Sequence, residues 1–513
     1  MSELRWRRIL AVLTAVTLIS CLLPFIVRSF LVKNNDRKGS QFTTAEPFSG
    51  NLTPNSAPTQ ASAPLPEDLA ELYEPHPTPT TQAGLETYVV QQGDTLATIA
   101  AAFQVDPGVL MDYNGLTDPN LLYAGQALSI PPSNPPQGPD LILIPDSELV
   151  YGPAVTFFDV ADFAAQQGGY LAAYQEDVDG VLLSGPAIVT RIAREYSVNP
   201  RLLLAILEYR SGWVTGAHEP DEADLAYPLG WVADPYRSGL YRQLAWTADQ
   251  LNYGYYTWRA YGVYSWMLAD GSVYTIAPTI NAGTAGVQYL MGRFHGRDAW
   301  GTSLGESGVI AVYRQFFDEP FSYLVDPVVP AGLSQPLMQL PFEPGEKWYF
   351  TGGPHGGWGD GSGWAALDFA PPGEPMGCVR SEAWVTAVAS GPLVYSENGM
   401  VLQDLDGDGF EQTGWVVVYL HIDSHQRTAA GVTLKPGDRL GHPSCEGGYS
   451  NGTHVHLARR YNGEWISADG ALPFVLDGWV SEGAGVYYDG YLRQNNRVIE
   501  AWNGNRSENQ IWR

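Results

Sequence analysis

His454-Val455-His456 places two imidazoles on one face of an extended segment, because side chains alternate along a strand. One metal ion and one water can then meet both rings. The run Thr453-His454-Val455-His456-Leu457-Ala458 turns apolar residues to its other face, and Asn451-Gly452 before it is a turn signal. Six of the nine histidines fall between His355 and His456. Thr351-Gly352-Gly353-Pro354-His355 is followed across a Gly-rich loop by Trp364-Ala365-Ala366-Leu367-Asp368-Phe369, and then comes Tyr419-Leu420-His421. Catalytic zinc takes three N or O ligands and leaves a fourth position for water. His355, Asp368 and His456 supply such a set for one Zn2+ per chain, and His421 and His454 remain for proton handling and transition-state stabilisation. The alternative is a set of satisfied structural histidines.

This constellation resembles the M23 zinc endopeptidases, the lysostaphin-like family that cleaves peptide cross-links of bacterial cell walls, over about residues 341–480. The resemblance puts the first ligand and the Asp on His355 and Asp368, 13 residues apart as in the longer-loop branch. It puts the HxH element on His454 and His456, the latter as ligand, and the remaining catalytic His on His421. It implies hydrolysis of peptide stems or cross-bridges by zinc-activated water. The short runs Trp384–Val388, Val401–Gln403 and Trp415–Ile422, set between Gly-rich turns, predict a mainly antiparallel β domain over 341–513 that includes a C-terminal extension.

Cys378 and Cys445 are the only cysteines outside an N-terminal apolar run and fit one disulfide in an oxidising compartment, with two reduced thiols as the alternative. Asp404-Leu405-Asp406-Gly407-Asp408-Gly409 resembles the opening of an EF-hand loop, so Asp404, Asp406 and Asp408 are candidate Ca2+ ligands. Position twelve is Trp415 rather than Glu, which favours a polar hairpin tip.

The elements before this domain change character. Residues 140–330 predict a mainly helical region, with Asn199-Pro200 starting one helix. Ser197 to Ser211 resembles the active-site helix of lysozyme-like lytic transglycosylases, but Arg210 stands where that family has its acid and Glu208 lies about 200° away around the helix. A non-catalytic region follows from that. Its aromatics, Trp213, Trp231, Tyr241, Trp246, Tyr255, Tyr256, Trp258, Tyr261 and Trp266, are readable as sugar-stacking platforms or as core.

Residues 87–132 read as a small α+β unit of βααβ order, with Asp106 capping its second helix. With Gly93-Asp94-Thr95-Leu96 and Asn114-Gly115-Leu116 it resembles a LysM module, which implies binding of N-acetylglucosamine-containing glycan through Gly93, Asp94, Thr95, Asn114 and Gly115. Residues 34–86 are a Pro/Thr/Ser-rich tether unable to bury a core. Ile9–Val27, an apolar run of 19 residues behind Arg5, Arg7 and Arg8, predicts a transmembrane helix within 1–33, with a cleaved signal or a lipid-anchored form as rivals. Formal charge is −27; beyond residue 38 the chain holds 21 Lys/Arg against 53 Asp/Glu, which excludes nucleic acid as partner.

The expectation is a multidomain, membrane-anchored, extracytoplasmic peptidase whose partners are peptidoglycan glycan and stem peptides. Its rivals are an inactive wall-binding scaffold and a transglycosylase acting through the helical region.

Overall fold

The structure, a computed structural model, describes residues 87–513 apart from 91–93, 104, 106, 117, 120–121, 124–125, 132–135, 263–264 and 374–376. The apolar run Ile9–Val27, the tether, Gly93 and Asp106 lie outside the described residues. Among those described, no helix is long and apolar enough to cross a membrane.

The first unit has the expected βααβ order. Strands Thr87–Val89 and Ala127–Ser129 pair antiparallel around helices Leu96–Phe103 and Pro107–Tyr113. Thr95 starts the first helix, its Oγ1 accepting from Thr98 N. The unit docks on the helical region through the Asp112–Arg293 ion pair and a bond from Gly108 N to Tyr253 Oη.

The next region is mainly helical, with two short hairpins, Gln175–Val178 with Val181–Ser184 and Ser265–Met267 with Val273–Thr275. Asn199 caps helix Pro200–Ser211 by accepting from Arg201 N, and Gly212 ends it at φ +68°. Helix Leu240–Tyr261 packs along Ala282–Phe294 so closely that a Cβ on Gly254 would lie 2.6 Å from Tyr289 Cβ. Trp213, Trp246, Tyr255, Tyr256, Trp258 and Trp266 are buried. These are core side chains, with Trp246 stacked on Trp231 at 4.0 Å, and not an open sugar platform.

The last region is built on a nine-stranded antiparallel sheet. Its order is Thr433–Leu434, Gly391–Glu397, Met400–Asp404, Trp415–Leu420, Val455–Tyr461, Ala366–Ala370, Lys347–His355, Gln510–Trp512, with Glu464–Trp465 paired to Val455–Tyr461. A four-stranded sheet, Val475–Leu476 to Arg497–Glu500, forms the C-terminal extension. Alternation assigns the two faces of the large sheet to different cores. Val417, Tyr419, Val401, Leu457 and Leu367 join Phe342, Trp348, Phe474 and Trp479 on one side. Val416, Val418, Leu420, Leu402, Ala458 and Ala366 join the apolar core of the helical region on the other.

Candidate active site

The sheet sets the five singled-out residues by register. His456 pairs with Asp368 on one side and Leu420 on the other, and Gly352 lies opposite Asp368. Asp368 is two residues from Ala366 and His456 two from Ala458, so both project from the face that packs on the helical region. Two register shifts in Lys347–His355 swing His355 in beside them. His454 stands just before its strand in an isolated bridge with Ser444, and His421 follows Trp415–Leu420 at φ +64°. A left-handed histidine at a strand end is strained and held by its surroundings.

The geometry is compact. His355 Nε2 is 3.0 Å from His456 Nδ1 and 3.3 Å from Asp368 Oδ1. Asp368 Oδ1 is also 3.2 Å from His456 Nδ1 and 3.5 Å from His454 Nε2. The candidate ligand atoms of His355, Asp368 and His456 all lie within 4.8 Å of one another, and all three residues are buried. The His421 and His454 rings are 4.6 Å apart by centroid.

Backbone carbonyls assign the tautomers. His355 Nδ1 donates to Gly353 O at 2.8 Å and His456 Nε2 to Gly357 O at 3.0 Å. His421 Nδ1 donates to Glu446 O at 3.1 Å and His454 Nδ1 to Gly452 O at 2.7 Å. Each ring therefore turns its lone-pair nitrogen inward. Asp368 Oδ1, buried among them, accepts no hydrogen bond. A carboxylate oxygen and inward lone pairs this close repel one another unless a cation lies between, so the donor set fits a metal ion of zinc's ligand preference. Burial, with His454 and His456, pushes His421 down to about 3.

Gly352 is required by space: a Cβ there would lie 2.6 Å from Asp368 Oδ2. Gly352→Ala is expected to displace the carboxylate and weaken zinc binding roughly 10-fold or more. Titration against a chromophoric chelator checks this, and wild-type affinity would refute it.

Sequence reasoning missed Tyr487 and Tyr488. The Tyr488 ring stacks on His355 at 4.1 Å with its backbone at φ +67°, and Tyr487 Oη accepts from Gly356 N. Their only signal was a Tyr pair between Gly485 and Gly490.

Other candidates take different places. Cys378 and Cys445 are bonded, with Cα atoms 5.8 Å apart. Asp404, Asp406 and Asp408 lie close together at a hairpin tip, where Asp404 accepts from the amides of Asp406, Gly407 and Gly409, and Asp408 from Phe410 N and Thr413 Oγ1. In the first unit, Tyr88 Oη donates to Asp94, and Asn114 is tied to Ser129 N and O, while Gly115 makes a left-handed turn at φ +61°. These contacts lie within the module. Glu208 accepts from Val214 N and Thr215 N, and Arg210 donates to Leu229 O, so the helical region presents no free acid at the expected position.

Residues 88–131 match the LysM domain family, and residues 142–329 match the family described as LasA, N-terminal domain. Protease LasA of Pseudomonas aeruginosa (strain UCBPP-PA14) is 28% identical over 295 residues, 54% of this chain and 66% of that protein. The match thus spans just under two thirds of that relative. N-acetylmuramoyl-L-alanine amidase XlyA of Bacillus subtilis (strain 168) is 36% identical over 122 residues, 23% of this chain and 40% of that protein. Among solved structures, the M23 metalloprotease pseudoalterin from the deep sea aligns over 36% of this chain and 100% of its own, at 27% identity and TM-score 0.28. A zinc-containing peptidase from Vibrio cholerae aligns over 28% and 39%, at 18% identity and TM-score 0.17.

Proposed function

We propose that this chain, a LysM-bearing relative of the M23 metallopeptidases, is a cell-wall peptidase that hydrolyses peptide stems or cross-bridges of peptidoglycan while its LysM module holds the glycan. The single observation that carries the reading is the convergence of His355 Nε2, His456 Nδ1 and the unpartnered Asp368 Oδ1 within a few ångströms.

His355, Asp368 and His456 would hold zinc. When bound, the ion supplies Lewis acidity for the scissile carbonyl and acidifies water. His421 has its Nδ1 proton fixed on Glu446 O and offers Nε2 to take a proton. His454 is held the same way by Gly452 O and turns Nε2 toward Asp368; once Nε2 carries a proton, the ring can donate it to the charge that develops on the carbonyl oxygen. Tyr488 keeps the His355 ring stacked against its own.

The proposed setting is extracytoplasmic, with Ile9–Val27 as anchor and residues 34–86 as tether. The Cys378–Cys445 bond supports an oxidising compartment. A mature chain beginning just after residue 27 would replace the anchor with a cleaved signal.

Digestion of defined cross-linked stem peptides, followed by mass spectrometry, tests the activity. New amino termini are expected, lost on removal of metal by a chelator and regained on addition of zinc. Anhydro-sugar ends from purified wall, or no product with metal present, would refute the reading.

A further inference from the structure

The helical region reaches the loop that carries part of the metal-site scaffolding. Asp249, on helix Leu240–Tyr261, accepts a hydrogen bond from Gly361 N at 2.8 Å. The approach is tight: a Cβ on Gly361 would lie 2.0 Å from the Asp249 carbonyl oxygen, and one on Gly359 would lie 2.6 Å from Asp249 Oδ1. Tyr196 closes helix Gly185–Tyr196, sets its ring edge-on to Trp358 at 6.3 Å, and accepts from Trp465 Nε1 through its carbonyl at 3.2 Å. Trp465 in turn backs Gly357, where a Cβ would lie 2.2 Å from the indole.

Within the loop, Ser362 Oγ accepts from Trp358 N and donates to Gly359 O, and Gly357 N donates to Gly363 O. Gly357 O then accepts from His456 Nε2. An unbroken run of packed and hydrogen-bonded groups thus joins a carboxylate of the helical region to an imidazole of the metal set. The carboxylate touches no reacting atom.

We infer that Asp249 and Tyr196 are positioning residues of the peptidase site: the helical region, acting through the 356–363 loop, fixes the His456 ring and so sets how tightly the metal is held. The inference rests on the assignment of His355, Asp368 and His456 as ligands. A merely adhesive role for Asp249 would loosen the two regions without changing metal affinity.

The test uses the full chain, with zinc as the probe. Zinc affinity is measured by chelator competition, and amide exchange is followed in residues 356–363. Asp249→Ala is expected to bind zinc about 10- to 100-fold more weakly and to exchange faster in the loop. Asp249→Asn, whose amide oxygen still accepts from Gly361 N, should recover most of that loss. Gly361→Ala disturbs the same contact from the other side, keeps the carboxylate, and should reproduce the loss; it decides the matter where Asp249→Ala fails to fold. Zinc affinity within about two-fold of wild type in either folded variant, with the loop exchanging faster, would overturn the inference. Neither readout needs a substrate, so failure to find peptide cleavage would count against the activity and leave this result to stand or fall by itself.

Discussion

Full-length His456→Ala is expected to lose bound zinc and peptidase activity together, whereas His454→Ala should keep most of its zinc and lose activity on the order of 10²-fold or more. Only Val455 separates the two. His456 Nδ1 lies 3.0 Å from His355 Nε2 and 3.2 Å from Asp368 Oδ1, inside the donor set, so its removal leaves two of three protein ligands. His454 touches the same carboxylate from outside the set, at 3.5 Å. Asp368→Ala and His421→Ala should repeat the contrast, the first through loss of metal, the second through loss of a proton acceptor. Metal content by atomic absorption beside cleavage of a stem peptide separates the cases. Full zinc occupancy in His456→Ala, or near wild-type turnover in His454→Ala, would reverse the assignment.

Breaking the Cys378–Cys445 bond should cost both stability and turnover while leaving most of the metal in place. The bond closes a 67-residue loop, worth roughly 4 kcal/mol at the upper end in the chain-entropy model. Its position decides what fails first. Cys445 precedes Glu446, whose carbonyl holds His421 Nδ1, and Gly377 and Val379 beside Cys378 take the bonds of Thr453, next to His454. The bond therefore anchors the segments that orient both proton-handling rings. The ligands are held elsewhere, by Gly353 O and Gly357 O. A Cys378→Ala/Cys445→Ala chain assayed below its unfolding transition should bind zinc within a few-fold of wild type but turn over substrate more slowly. Equal losses in zinc and turnover would contradict this division of labour.

Much of the site was legible because its parts carry local signals. His454-Val455-His456 declares a shared face by alternation, and the Gly-rich run after His355 allows a chain reversal that brings Asp368 back beside it. Residue pattern marked the βααβ order of the small unit, the helical character of the next region and the antiparallel β character of the last. What stayed hidden depends on contacts between distant residues. Asp249 and Gly361 lie 112 positions apart, and nothing near either one announces the other. The aromatics of the helical region read equally as core and as sugar platform, since an indole is apolar and stackable in both roles; only their burial decides. His454 fell outside its strand because Ser444, rather than a ladder partner, meets it.

The shared core bears on the order in which the chain is made. Residues 142–329 leave the ribosome first, carrying the apolar surface that Val416, Val418, Leu402 and Ala458 later cover. Buried carboxylates wait as well: Glu464, which meets Tyr255 and Arg259, and Glu411, which meets Arg194, are synthesised only after more than 80 further residues. Domains that fold as they emerge normally finish independently. Here the helical region is completed only by its C-terminal neighbour, so a half-made chain exposes an unfinished face, and folding of the two regions must be timed as one event.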